Sequence, residues 1–194
     1  MWPPFTNGTG MDEQVLRRDR RYCIIAPCRD EEEFARRTLE SVTQQSPPPA
    51  LFVVVDDGST DATPAILQEF ADKYSYIRIV RREDRGERKV GPGVIDAFYA
   101  GYSIIDPQAF EYICKLDLDL DLPLTYFERL VERMEQNPRL GCCSGKPFYP
   151  GPGNASKTFD GELISEGISD DMSVGMTKFY RRQCFEEIGG FVRE

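Results

Sequence analysis

Phe110-Glu111-Tyr112-Ile113-Cys114-Lys115-Leu116-Asp117-Leu118-Asp119-Leu120-Asp121-Leu122-Pro123 is the stretch on which the fold turns. Its first half is apolar and reads as a strand; its second half alternates Asp with Leu. Successive strand side chains point to opposite faces, so Asp117, Asp119 and Asp121 would share one face and the leucines would pack on the other. Carboxylates two residues apart sit roughly 7 Å from each other on that geometry, and Asp is a poor strand residue. Like charges gathered at a strand end need a cation. Such oxygen donors suit Mg²⁺ or Mn²⁺, which are held by one or two carboxylates together with substrate phosphates. A solvated edge strand would also carry an acidic face, but the apolar neighbours argue for a central strand. Asp117, Asp119, Asp121 and Glu128 match the first, third, fifth and twelfth positions of a calcium loop. That loop requires Gly at its sixth position, where this chain has Leu122, and a helix before it, where this chain has a strand.

Other apolar runs recur along the chain with helical patterns between them. Tyr22 to Ala26 and Leu51 to Val55 are short and continuous, as parallel strands covered on both faces are. Tyr76 to Val80 follows, and Leu140 to Ser144 is a weaker fifth candidate. Glu31 to Gln45 carries Phe34, Ala35, Thr38, Leu39 and Val42 on one stripe, with Asp30 and Glu33 as a capping pair. Ser46-Pro47-Pro48-Pro49 stops that helix. Asp61 to Tyr74, Val94 to Ile104 and Leu124 to Gln136 complete the helical set; Pro64 is tolerated because it lies in a first turn. Strands alternating with helices predict an α/β fold, a Rossmann-like three-layer α/β/α sandwich with a mostly parallel central sheet. Ligands of such sheets bind beyond the carboxyl ends of the strands, where strand order reverses.

Composition removes several function classes. The 194 residues suffice for one core, and no apolar run is long enough to span a bilayer. Residues 1–20 lack the basic and apolar regions of a signal peptide and read as a flexible leader, with one domain over 21–194. A net charge of -9 argues against nucleic acid as a partner. The six cysteines lack zinc-site spacing and read as reduced thiols of a cytoplasmic protein, so the sequons at Asn7 and Asn154 would stay unmodified. There are no histidines. Ser-His and Cys-His chemistry is therefore absent from this chain, and carboxylates are left to do acid–base work.

Three polar clusters stand at strand ends: Pro27-Cys28-Arg29-Asp30-Glu31, Asp56-Asp57-Gly58-Ser59-Thr60-Asp61 and the aspartate triplet. A carboxylate after the second strand could accept from a nucleobase or a ribose hydroxyl, as acids do in dinucleotide folds. It could equally belong to an ordinary strand-to-helix turn, with Gly58 for backbone freedom and Ser59 or Asp61 as N-cap. In this order, the clusters resemble the family-two inverting glycosyltransferases of GT-A fold, from about Arg21 onward. The resemblance implies a nucleotide-sugar donor, commonly UDP-linked, with Mg²⁺ or Mn²⁺ on an Asp-x-Asp motif. It also implies a carbohydrate or lipid-linked acceptor, in polysaccharide or glycoconjugate synthesis.

Carried over by position, Pro27, Arg29 and Glu31 would border the base. Asp57, with Asp56 beside it, would bind uracil or ribose. Asp117 would face the ribose and donor, and Asp119 and Asp121 would hold the metal–diphosphate. Where this chain has Asp30, the family often has Asn. Arg88-Lys89-Val90-Gly91-Pro92-Gly93 resembles the family's glycine-rich approach to its third helix, which places Arg88 or Lys89 near the diphosphate. Ile164 to Met176 reads as an ordinary polar surface loop, which the resemblance would place on the acceptor side. Lys178 to Phe191 matches the family's strand, helix and Gly-Gly-Phe turn and reads as mostly architectural, with phosphate contacts by Arg181 and Arg182 as the alternative. Family members usually continue into a segment that carries the catalytic base. The expectation is thus a donor-binding core whose base lies beyond Glu194 and whose full-length form works at a membrane face. A nucleotidyltransferase would need a phosphate loop after the first strand, and an Asp-x-Asp-x-Thr phosphatase would have its aspartates there. A nucleotide-sugar sensor without transfer activity is the remaining alternative.

Overall fold

Four apolar runs become four parallel strands. The computed structural model describes residues 20–84, 86, 91–150, 163–165 and 173–192; within it these strands are β1 (Tyr22–Cys28), β2 (Leu51–Asp56), β3 (Ile77–Arg81) and β4 (Tyr112–Leu116). Helices α1 (Ala35–Thr43), α2 (Thr63–Lys73) and α3 (Pro92–Tyr102) link them in turn, and α4 (Tyr126–Gln136) follows β4. The weak candidate near residue 140 is the two-residue β5 (Cys142–Cys143). A 3-10 turn at Pro107–Ala109 before β4, a hairpin of β6 (Phe148–Pro150) and β7 (Leu163–Ser165), then β8 (Thr177–Arg181) and α5 (Arg182–Glu187), complete the described elements.

The main sheet has the order β3-β2-β1-β4-β8-β5, with β8 antiparallel to both of its neighbours. Chain order reverses between β1 and β4, so the crevice for a ligand opens at their carboxyl ends. Strand alternation divides the core in two. Tyr22, Ile24 and Ala26 pack toward α1, α2 and α4, while Cys23 and Ile25 pack toward Ala97 and Phe98 of α3 and Phe185 of α5. The expected α/β/α layering follows. Among the described residues no helix is long and apolar enough to cross a membrane.

The first helix begins later than its apolar stripe predicts. Glu31 to Phe34 form a turn, α1 starts at Ala35, and its N-cap Phe34 makes no side-chain capping bond. The Asp30–Glu33 capping pair does not form, because Asp30 adopts φ 53 and its Oδ1 accepts from the Thr60 N–H at 2.8 Å. Asp and Asn are enriched at such left-handed positions. The β6–β7 hairpin was not expected: Ile164 reads as part of a polar loop, yet it pairs with Tyr149.

Candidate active site

The ends of β1, β2 and β4, the amino end of α3 and the start of β8 enclose a cleft of about 690 Å³. Pro27, Arg29, Glu31, Asp57, Asp117 and Asp119 all line it. Residues from the three sequence clusters thus meet in one cleft.

On the β1–β2 side, two turns are bonded to one another in both directions. The Asp30 N–H donates to Ser59 Oγ at 3.0 Å, and Asp30 Oδ1 accepts from Thr60. The Glu32 N–H donates to Asp61 Oδ2 while Glu32 Oε2 accepts from the Ala62 N–H. The buried Arg29 guanidinium donates to the Asp57 carbonyl at 3.2 Å and to Asp84 Oδ1 at 2.7 Å. The Gly86 N–H and Arg29 together hold the Asp84 carboxyl below its usual value. Asp57 pairs through Oδ1 with Arg82 at 2.8 Å. Charged side chains at this end are fixed by neighbours, which preorganises it for a polar ligand.

Gly58 is required where these turns meet. Its φ is 79, and a Cβ there would stand 2.5 Å from the Asp84 Cα. Gly58→Ala therefore strains the backbone and pushes on the residue that anchors Arg29. It should cost about 1–3 kcal/mol of stability, read from urea denaturation; an unchanged midpoint would contradict the close approach.

The acidic side departs from an ideal strand. β4 ends at Leu116, and the Asp117 N–H donates to the Met176 carbonyl at 2.8 Å. Alternation nevertheless persists past the strand: Leu118 and Leu122 are buried, Asp119 and Asp121 exposed. Asp117 and Asp119 face the cleft, but Asp121 does not line it. Its Oδ2 accepts from Arg37 Nε at 2.9 Å and Nη2 at 2.5 Å, on α1. Among the described residues no three His, Cys, Asp or Glu side chains gather as a metal cluster. Two cleft carboxylates nevertheless fit Mg²⁺ or Mn²⁺, since such ions take hard oxygens and complete their shell with water and substrate phosphates.

Several predicted residues lie elsewhere. Asp56 is almost fully buried and outside the cleft lining; its Oδ1 accepts from the Ser59 N–H at 2.8 Å, and Oδ2 lies 3.6 Å from Arg81 Nε. It holds the turn rather than facing a ligand. Arg181 donates to the carbonyls of Leu140 and Met134, and Arg182 to Phe110 and Glu186, so both serve packing. Arg88 and Lys89 lie outside the described residues, as do residues 1–19, most of the 164–176 loop and Glu194. Cys28 borders the cleft, but burial and then Asp56 push its thiol well up, which removes it as a nucleophile. Two lysines escaped the sequence reading. Lys115 lies within an apolar strand yet lines the cleft, its ammonium on the Asp117 carboxylate and 3.1 Å from the Gly175 carbonyl. Lys178 lines it from β8. A lysine inside a central strand, two residues before an aspartate on the same face, was the available signal.

Known structures share this architecture. The mannosyltransferase PcManGT from Pyrobaculum calidifontis, solved with GDP-Man and Mn²⁺, matches with a TM-score of 0.61 at 19% identity, over 90% of this chain and 48% of that one. TarS 1-349 of S. aureus matches at 0.64 and 20% identity, over 90% and 51%. A TarS 1-349 structure with UDP-GlcNAc matches at 0.62 and 16%, over 87% and 47%. The fold is that of the GT-A glycosyltransferases. Residues 23–189 match the profile of Glycosyl transferase family 2, and the chain belongs to that family. The poly-beta-1,6-N-acetyl-D-glucosamine synthase of Staphylococcus epidermidis is 28% identical over 126 residues, which cover 64% of this chain and 28% of that protein. The S. aureus (strain COL) protein of the same name is 24% identical over 127 residues, with the same coverage. The chain thus spans little more than a quarter of the length of these relatives.

Proposed function

We propose that this domain binds a UDP-linked sugar for an inverting, metal-dependent transfer to a hydroxyl of a carbohydrate or lipid-linked acceptor, in polysaccharide or glycoconjugate synthesis. The carrying observation is that Asp57, Asp117 and Asp119 share one cleft where strand order reverses. Family membership supports transfer from a nucleotide sugar, the staphylococcal synthases support polymer synthesis, and the TarS complex supports UDP-GlcNAc as donor. Mn²⁺ in the PcManGT complex supports a divalent ion. Six unbridged cysteines support a cytoplasmic setting.

In this reading Asp57 accepts from the base or ribose while Pro27 and Glu31 border the base. Arg29 holds the Asp57 backbone in place. Asp117 faces the ribose and diphosphate, and Asp119 would hold a divalent ion. A bound divalent ion supplies Lewis-acid neutralisation of charge on the departing diphosphate. The acceptor oxygen attacks the anomeric carbon in line as the bond to the diphosphate oxygen breaks, and the acceptor proton passes to a carboxylate base.

Asp57→Ala tests the placement of the nucleoside. It should weaken UDP and free uridine to a similar degree, about tenfold, as expected for a lost hydrogen bond to a charged group. Titration calorimetry with both ligands reads this. A loss with UDP but none with uridine would move Asp57 away from the nucleoside.

A further inference from the structure

The antiparallel pairing of β4 with β8 sets two lysines side by side in the cleft. Lys115 and Lys178 are direct partners in the ladder, and both line the cleft. Paired side chains share a sheet face with Cβ atoms about 4.5–5.5 Å apart, where like charges repel. The charge of Lys115 is met by Asp117. Lys178 pairs with no carboxylate among the described residues; its Nζ reaches Ser173 Oγ at 3.5 Å, a long hydrogen bond. A half-buried ammonium next to a second ammonium is a cost that an anionic ligand removes.

Position narrows what that anion is. Lys178 follows Thr177, which pairs with Leu116, the last residue of β4. The lysine pair therefore adjoins the Asp117–Asp119 end of the cleft on the α3 side, where Ile113 and Tyr180 continue the same face. Gly91 and Pro92 at the amino end of α3 line the cleft as well, and their helix end adds potential of the same sign. A ligand that spans the cleft from Asp57 meets the acids and this cationic wall at its far end.

We propose that Lys178 is a donor-binding residue that takes an anionic oxygen group of the donor, either its diphosphate or an acid group on the sugar. This rests on the nucleotide-sugar reading above. Titration calorimetry with Mn²⁺ on wild type, Lys178→Met and Lys178→Arg, using uridine, UDP, UDP-GlcNAc and UDP-glucuronate, tests it. If the group is the diphosphate, Lys178→Met keeps its uridine affinity and loses at least tenfold (about 1.4 kcal/mol) for UDP and both sugars. If the group is a sugar acid, only UDP-glucuronate weakens, by the same factor. Lys178→Arg restores most of the loss in either case. Wild-type affinity for every ligand in Lys178→Met overturns the inference alone, and so does an equal loss that includes uridine, which marks general damage. A wild-type protein that binds no uridine nucleotide overturns the nucleotide-sugar reading and this inference together.

Discussion

Asp119→Asn should lower Mn²⁺-dependent UDP affinity at least tenfold, the largest functional effect expected of any single isosteric change in this domain. Asp119 is exposed and lines the cleft. The substitution keeps its shape and removes one hard anionic oxygen from the acidic end of the cleft, where Asp117 is the other lining carboxylate among the described residues and already carries the Lys115 ammonium. Asp121→Asn is the matched control. Its carboxylate is engaged by Arg37 on the helix surface, and such an exposed pair contributes little. Calorimetry of UDP with and without Mn²⁺ should therefore separate two aspartates that are consecutive members of one triplet. Equal behaviour of the two variants would sink the assignment of Asp119.

Phe179→Ala carries the largest expected effect on stability. Phe179 is fully buried on β8, stacked on Tyr112 with ring centroids 5.1 Å apart and in contact with Tyr22 and Phe127. Removing a ring from such a site costs about 3–5 kcal/mol, a large part of the 5–15 kcal/mol typical of a domain. The midpoint of urea denaturation should fall sharply with little change in slope. A loss below about 1 kcal/mol would mean that neighbouring rings close over the gap. Because β8 also carries Lys178, this packing bears directly on the cleft wall.

Strand positions were legible because β1, β2 and β4 are covered on both faces, which leaves runs of Ile, Val and Tyr with little ambiguity. The site was legible to the extent that it sits at strand ends. What the sequence could not supply were pairings across long chain separations. Asp30 reads as a helix cap until Thr60 is seen to hold it, and Asp121 reads as a metal ligand until Arg37 is placed beside it. Asp56 and Asp57 are adjacent in sequence and both buried, and only Asp57, just past the end of β2, lines the cleft. Lys115 was hidden for the opposite reason. It lies in a run whose apolar character dominates, and its role comes from Asp117 and from a strand more than sixty residues later.

The two outer strands of the sheet bear on how molecules of this protein meet one another. An open edge offers unpaired backbone groups that can recruit a strand from another copy and start aggregation. Here β3 exposes Arg78 and Arg81 on its five residues, and β5 at the opposite margin is only two residues long. Like-charged arginines brought together edge to edge repel, and two residues give a foreign strand too short a template. Both margins thus resist growth of the sheet between molecules, although its centre is built from the continuous Val and Ile runs most prone to it.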